Sequence, residues 1–192
     1  MKRIFHLLLI GSALSFAACN SNGDQASKTS DNGQPGKIDS SSTGATNHND
    51  VDNSDASFLS EAAYGGMKEV EGGKIAQQKG TAKEIKDLGS MMVTDHSAMN
   101  EKVKALAAKK NIQLPTAVAK DDLDKLNSKS GADFDKDYAN DMVDDHEKDI
   151  KKFEDEANNG KDPDIKALAN EALPKLRHHL EMAKAAKAKV KG

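Results

Sequence analysis

Apolar residues recur at three-and-four spacing in four long runs, each of which predicts an amphipathic helix. The first runs from Asp55 to Lys79 with Phe58, Ala62, Gly66, Glu69, Gly73 and Ala76 along one face, and Gly80 stops it. Thr81-Ala82-Lys83-Glu84 reads as a capping box that opens the second. Its stripe is Ile85, Leu88, Met92, His96, Met99, Val103 and Leu106, and it ends near Lys110. The third follows Ser130, starts at Gly131 and carries Phe134, Tyr138, Met142, His146, Ile150, Phe153 and Ala157 before Asn158-Asn159-Gly160. Asp162-Pro163 offers the fourth an N-cap carboxylate and a proline at the first helical position. Ile165, Ala169, Ala172, Leu176, His179, Ala183, Ala186 and Val190 line its face. Pro174 falls inside this helix, where a missing N–H and a crowded carbonyl predict a kink.

Four such helices predict an all-α fold, a four-helix bundle about 40 Å long. The connections at Gly80 and Gly160 are short, so each joins an antiparallel hairpin. The segment between the hairpins holds Leu114-Pro115 and a short helical stretch from Val118 to Leu126. It is long enough to run the length of the bundle, which gives the crossover topology of ferritin-like folds. An up-down bundle with an excursion in that place is the alternative the pattern leaves open.

Histidine changes this picture from a fold to a place. Met92-Val93-Thr94-Asp95-His96 recurs as Met142-Val143-Asp144-Asp145-His146, and Leu176-Arg177-His178-His179-Leu180-Glu181-Met182 follows. His96, His146 and His179 each occupy a stripe position that an apolar residue would normally hold. Counted from the helix ends at about 1.5 Å per residue, all three fall within roughly one turn of one level. Glu69 lies near the same level, with Gly65 and Gly66 beside it. His178 lies off the stripe and is assigned to the surface.

Two readings of this layer stand side by side. In one, His96, His146, His179 and Glu69 hold a transition metal, copper, zinc or iron, through imidazole and carboxylate donors. Met92, Met142 and Met182 form a second layer one turn away in the crossover topology, and soft thioethers would favour Cu(I). Asp95 and Asp145 orient imidazoles, each serving a histidine of another helix, because sequence neighbours point about 100° apart. In the other reading the histidines and carboxylates form a buried polar layer that fixes helix packing. There is no Glu-x-x-His motif, which argues against di-iron chemistry. No cysteine nucleophile, G-x-S-x-G or P-loop is present, so no catalytic residue is assigned and a non-catalytic binding role is preferred to an enzyme.

The N-terminus adds a location. Lys2 and Arg3 precede a mostly apolar Ile4 to Ala18, and the sole cysteine, Cys19, follows Phe16-Ala17-Ala18. This resembles a bacterial lipoprotein signal, and the resemblance implies cleavage after residue 18 and a lipid anchor at Cys19. One cysteine rules out an intramolecular disulfide framework. Residues 19–54 are rich in Ser, Asn, Asp, Gly and Thr and read as a disordered tether. The helical domain then spans residues 55–192. Asn20, in place of an aspartate, points the anchored protein to the outer membrane of the cell envelope. The 31 acidic residues outnumber the 28 basic ones and tryptophan is absent, so no nucleic-acid surface is indicated.

From Asp55 to Ala188 the chain resembles the bacterial DUF4142 family, grouped with ferritin-like folds. The resemblance is carried by Ala62-Ala63-Tyr64-Gly65-Gly66-Met67-Lys68-Glu69-Val70-Glu71 and both Met-Val-x-Asp-His phrases. Gly131-Ala132-Asp133-Phe134-Asp135, Leu173-Pro174 and His179-Leu180-Glu181-Met182 complete it. It implies a helical domain often carried by exported proteins, and brings no activity with it.

Overall fold

The computed structural model describes residues 51–190. The signal segment, Cys19 and nearly all of the tether lie outside the described residues. Five helices follow in order: α1 (Asn53–Lys79), α2 (Lys83–Lys109), α3 (Lys120–Ser128), α4 (Gly131–Asn159) and α5 (Pro163–Lys189). No described helix is long and apolar enough to cross a membrane. The four long helices form the bundle. α1 packs on α2, α4 on α5, and the hairpins join through α2 against α5 and α1 against α4.

Two buried carboxylates settle the topology. Asp135, near the start of α4, accepts hydrogen bonds from Thr81 N (2.9 Å), Ala82 N (2.8 Å) and the Thr81 hydroxyl at the start of α2. At the other end Asp55, in the first turn of α1, accepts from Lys161 N (3.1 Å) and Asp162 N (2.6 Å) at the start of α5. The N-termini of α2 and α4 therefore share one end of the bundle, and those of α1 and α5 the other. This is the crossover arrangement, not the up-down one. The connecting segment with α3 runs along α1, held by Ala119 N–H on the Tyr64 hydroxyl (3.0 Å) and by that hydroxyl on Asp122.

The Asp135 bonds also correct the capping box. Thr81 spends its hydroxyl on Asp135 of another helix, and Ala82 becomes the N-cap with no side-chain bond. A carboxylate already aimed at two free N–H groups outcompetes the local hydroxyl. Replacing Asp135 with alanine leaves those buried donors unpaired and is expected to cost about 2 to 3 kcal/mol in chemical denaturation. The short helix begins two residues later than its apolar pattern suggests and runs to Ser128. Gly80 ends α1 with φ −55°, outside the left-handed region, and what requires glycine there is space. A Cβ at position 80 would stand 2.6 Å from the Ala76 carbonyl. Asp162 caps α5 through Asp164 N (2.9 Å) and Ile165 N (3.2 Å), with Pro163 behind it. α5 continues through Pro174, which stands on its exposed side.

The buried stripes follow the expected ones with two rotations, the second in the last half of α2, where Asn100 and Ala107 are buried and Met99 and Leu106 half-buried. In the first half of α1, Leu59 and Ala63 are buried, while Phe58 and Ala62 are half-buried on the flank. One apolar cluster fills the Asp135 end, with Ile85, Leu88, Met92, Phe134, Tyr138 and Met142 among its members. Two others fill the opposite half, around Leu59, Val103 and Ile165 and around Phe153 and Leu176. The polar layer lies between them. α1 and α2 cross closely at Gly73 and Gly89, where either Cβ would meet the other's carbonyl at 2.7 Å. That crossing lies one turn along α1 from Glu69 and about two turns along α2 from His96, and it presses α1 onto α2 beside the histidine layer.

Near the Asp55 end a second carboxyl is less well placed. Glu156 is buried, and its Oε1 finds no hydrogen-bond partner. Burial first, then the charge of Asp55, raises its pKa to about 6. An acid raised on folding destabilises the fold as pH climbs through the interval from its ordinary value to the raised one. Glu156→Gln should therefore stabilise the domain by about 2 kcal/mol above pH 6, with the gain vanishing below about pH 4.5. Thermal unfolding across that range checks it.

Candidate metal centre

The four long helices each deliver one polar side chain to the middle of the bundle. Glu69 comes from α1, His96 from α2, His146 from α4 and His179 from α5, and all are at most 6% exposed. The ring centroids lie 5.0 to 5.6 Å apart. One ring nitrogen of each histidine lies within 4.8 Å of the other two.

The outer nitrogens are occupied. His96 Nδ1 lies 2.9 Å from Glu69 Oε2, His146 Nδ1 2.9 Å from the Met142 carbonyl, and His179 Nε2 2.8 Å from Asp95 Oδ2. Asp95 is held in turn by Lys175 at 2.6 Å. The carbonyl and the Asp95 carboxylate only accept, so His146 Nδ1 and His179 Nε2 must carry protons. The remaining nitrogens, His146 Nε2 and His179 Nδ1, face each other at 3.2 Å. If both rings are neutral, two lone pairs confront each other with no proton between them. His96 Nε2 is buried and has no partner at all.

Electrostatics decides which form prevails. Burial pushes the His146 pKa down, and burial with the neighbouring rings brings His179 to about 4. These two rings are therefore neutral near pH 7. Burial also opposes charge on His96, but the Glu69 carboxylate outweighs it and raises His96 overall. Glu69 is pushed up by burial and brought lower by His96 and then the other rings, to about 2. Its Oε1 has no hydrogen bond and lies 3.4 Å from His146 Nδ1. The layer thus holds the Glu69 carboxylate paired with His96, and two neutral imidazoles whose inward lone pairs face each other.

The surrounding side chains divide. Met92 and Met142 are buried in the adjoining apolar cluster. Met182 does not join them: it is 41% exposed, because the small Ala183 and Ala186 take the inner positions of α5. Asp95 reaches His179, but Asp145 does not reach a histidine. It pairs with Lys68 at 3.1 Å. Moving around the bundle, α2 is followed by α5, which offers His179, whereas α4 is followed by α1, which offers a lysine. His178 is exposed.

Two residues that the apolar pattern passes over, Asn100 and Asp149, and one on it, Tyr138, belong to the surroundings. Asn100, one turn beyond His96, is buried with an unpartnered Oδ1. Asp149, three residues beyond His146, lines a hollow over His96 and His179, and burial followed by the Glu69 charge raises its pKa to about 7. The Tyr138 hydroxyl is buried without a partner, and burial keeps the phenol un-ionised. The signal available for Asn100 and Asp149 was their three-or-four spacing from a histidine on the same helix.

Comparison with known proteins agrees with this architecture. No curated protein sequence matches the chain. Among solved structures, CopM in its Cu(I)-bound form superposes with a TM-score of 0.62 at 19% identity, covering 72% of this chain and 98% of that one. CopM soaked to its Ag-bound form gives 0.61 at 18% identity, over 72% and 97%. A DUF305 fragment from Deinococcus radiodurans gives 0.58 at 7% identity, over 72% and 98%. At such identities the likeness is one of fold. The family model for DUF4142, a domain of unknown function, matches residues 40–186, more than half of the sequence and all four long helices to within a few residues, and the chain belongs to that family.

Proposed function

We propose that the domain binds one transition-metal ion, copper foremost, between His96, His146 and His179, with Glu69 behind His96 as its hydrogen-bond partner rather than a fourth ligand. The observation that carries this is the mismatch of protons and lone pairs at the layer. Buried imidazoles in a purely structural network turn each nitrogen to a complementary partner. Here the outward nitrogens are engaged, His146 Nε2 and His179 Nδ1 meet lone pair to lone pair when both rings are neutral, and His96 Nε2 has no partner. A cation among the rings gives these nitrogens one partner, and takes over from a charged His96 the balancing of Glu69. Imidazole donors suit late first-row ions, and Cu(II) heads that affinity order. Met92 and Met142 sit in the adjoining layer, where thioethers would suit the reduced ion. CopM, whose fold is similar, has been solved with Cu(I), Cu(II) and Ag, which adds support for this choice of metal. Asp95 holds the His179 ring, and Lys175 holds Asp95, so the ligand geometry is set before an ion arrives.

The role is binding rather than turnover. We further propose that the domain works in the cell envelope, anchored through Cys19; the support is the sequence of residues 1–19. The test is titration of the full chain, purified without a histidine tag, with Cu(II), Cu(I) and Zn(II), followed by metal analysis. One tightly held ion per chain is expected, with copper preferred. Weak, sub-stoichiometric uptake of every metal would return the layer to a packing role.

A further inference from the structure

The centre is buried, so an ion needs a way in. Two hollows meet at Glu69. One lies over His96 and His179, walled by Phe58, Met99 and Phe153. The other opens outward between α1 and α4, beside Tyr64 and Asp145 and under Pro115 of the crossover segment. Gly65, Glu69 and Asp149 line both, so the two hollows adjoin between the surface and the ligands.

Gly65 and Gly66 have opposite surroundings. A Cβ at Gly66 would collide with the Asn100 amide, so a side chain there would have to displace Asn100. A Cβ at Gly65 would meet nothing within 4 Å. A side chain at 65 would therefore project into the hollows without disturbing the core. The carboxylates along the way are nearly all committed. Glu61 pairs with Lys152 at 2.6 Å, Asp145 with Lys68 at 3.1 Å, and Asp122 with Tyr64. Asp149 alone among them has no ion pair or hydrogen bond with a described residue. Beyond it stands the unpartnered, buried Oε1 of Glu69.

We propose that this cleft is the entry route for the cation, and that Asp149 and Glu69 Oε1 form a transient cation site on the way to the histidines. This rests on the metal reading above and adds a path and a residue to it. Asp149 is a way-station and not a resident ligand: it supplies an uncommitted carboxyl at the inner end of the cleft, and an arriving cation favours its ionised form.

The experiment is rapid-mixing uptake of Cu(II) by the full chain, followed by release to a chelator. Gly65→Leu should slow uptake and release alike, by about tenfold or more, and leave the equilibrium affinity unchanged, since a plug alters both rates equally. Asp149→Asn should slow uptake several-fold and weaken its dependence on salt. Gly65→Ser is a smaller plug that keeps the test valid if the leucine chain misfolds by circular dichroism; it should slow both rates by a lesser factor. Ser97→Leu, on the opposite face, should change nothing. Unchanged rates in the Gly65 variants, with wild-type binding intact, would overturn the route. Loss of affinity in Asp149→Asn comparable to loss of a histidine would make Asp149 a resident ligand and overturn the way-station. Absence of Cu(II) binding by the wild type would instead defeat the metal reading, and the route with it.

Discussion

The His146→Ala chain is expected to bind copper about 100-fold more weakly than the wild type, or not measurably, while keeping its helical content. His146 is the most deeply buried of the three imidazoles, at 0% exposure, and its Nδ1 is fixed by the Met142 carbonyl of its own helix. Its other nitrogen therefore has no choice of direction. Loss of a group that merely orients a metal ligand costs about 10- to 100-fold in affinity, and loss of the ligand itself should reach or pass the upper end. Neighbouring changes grade the effect. Asp95→Ala frees the His179 ring and should fall inside that 10- to 100-fold interval. Asp145→Ala breaks only a pairing with Lys68 and should leave equilibrium affinity as it was. His178→Ala, beside a ligand but exposed, should do the same. Calorimetric titration of the four chains ranks them, and equal affinity in all four would place the ion elsewhere.

The second large effect concerns the metal-free fold. Glu69→Leu should destabilise the apo domain by about 3 to 5 kcal/mol, because His96 keeps its buried N–H and loses the carboxylate that receives it. Glu69→Leu combined with His96→Leu should recover most of that loss, because replacing both members of a buried pair by apolar groups is often neutral or stabilising. The double variant should also bind no metal. Chemical denaturation of the two single variants and the double one gives the coupling directly. Additive losses would mean that the two side chains do not act as a pair. A recovered or raised stability together with lost binding would show that the layer is maintained against the interests of the apo fold, as a functional site is.

Much of this architecture is legible in the residues, for a physical reason. Helix spacing, Asp162-Pro163 and the short connections are local signals, and each acts through atoms a few residues apart. The meeting of His96, His146 and His179 could be read because depth along a helix scales with residue count, and helix ends are marked. Angle about the helix axis is harder. Met182 and Ala183 are adjacent on α5 and both apolar, and only the packed neighbours select the smaller one for the inside. The same holds for Leu59 against Phe58 on α1. Contacts between hairpins lie beyond local signals altogether. Nothing around Thr81 announces that its hydroxyl would be claimed by Asp135, 54 residues away. Asp95 and Asp145 occupy equivalent positions in matching phrases, yet one finds a histidine and the other a lysine, since the helix each faces differs.

The division of the four side chains between the hairpins has its own consequence. Glu69 and His96 belong to the half of the chain that is made first, His146 and His179 to the half that follows. Neither half alone can close around an ion. A bound ion would act as a clasp between two pieces that the chain delivers separately, and its capture would report that they had docked in register. By mass action, free metal at about 100 times its dissociation constant would add about 2.7 kcal/mol to that docking. A chain that reaches its destination unfolded would then finish folding most firmly where the metal is.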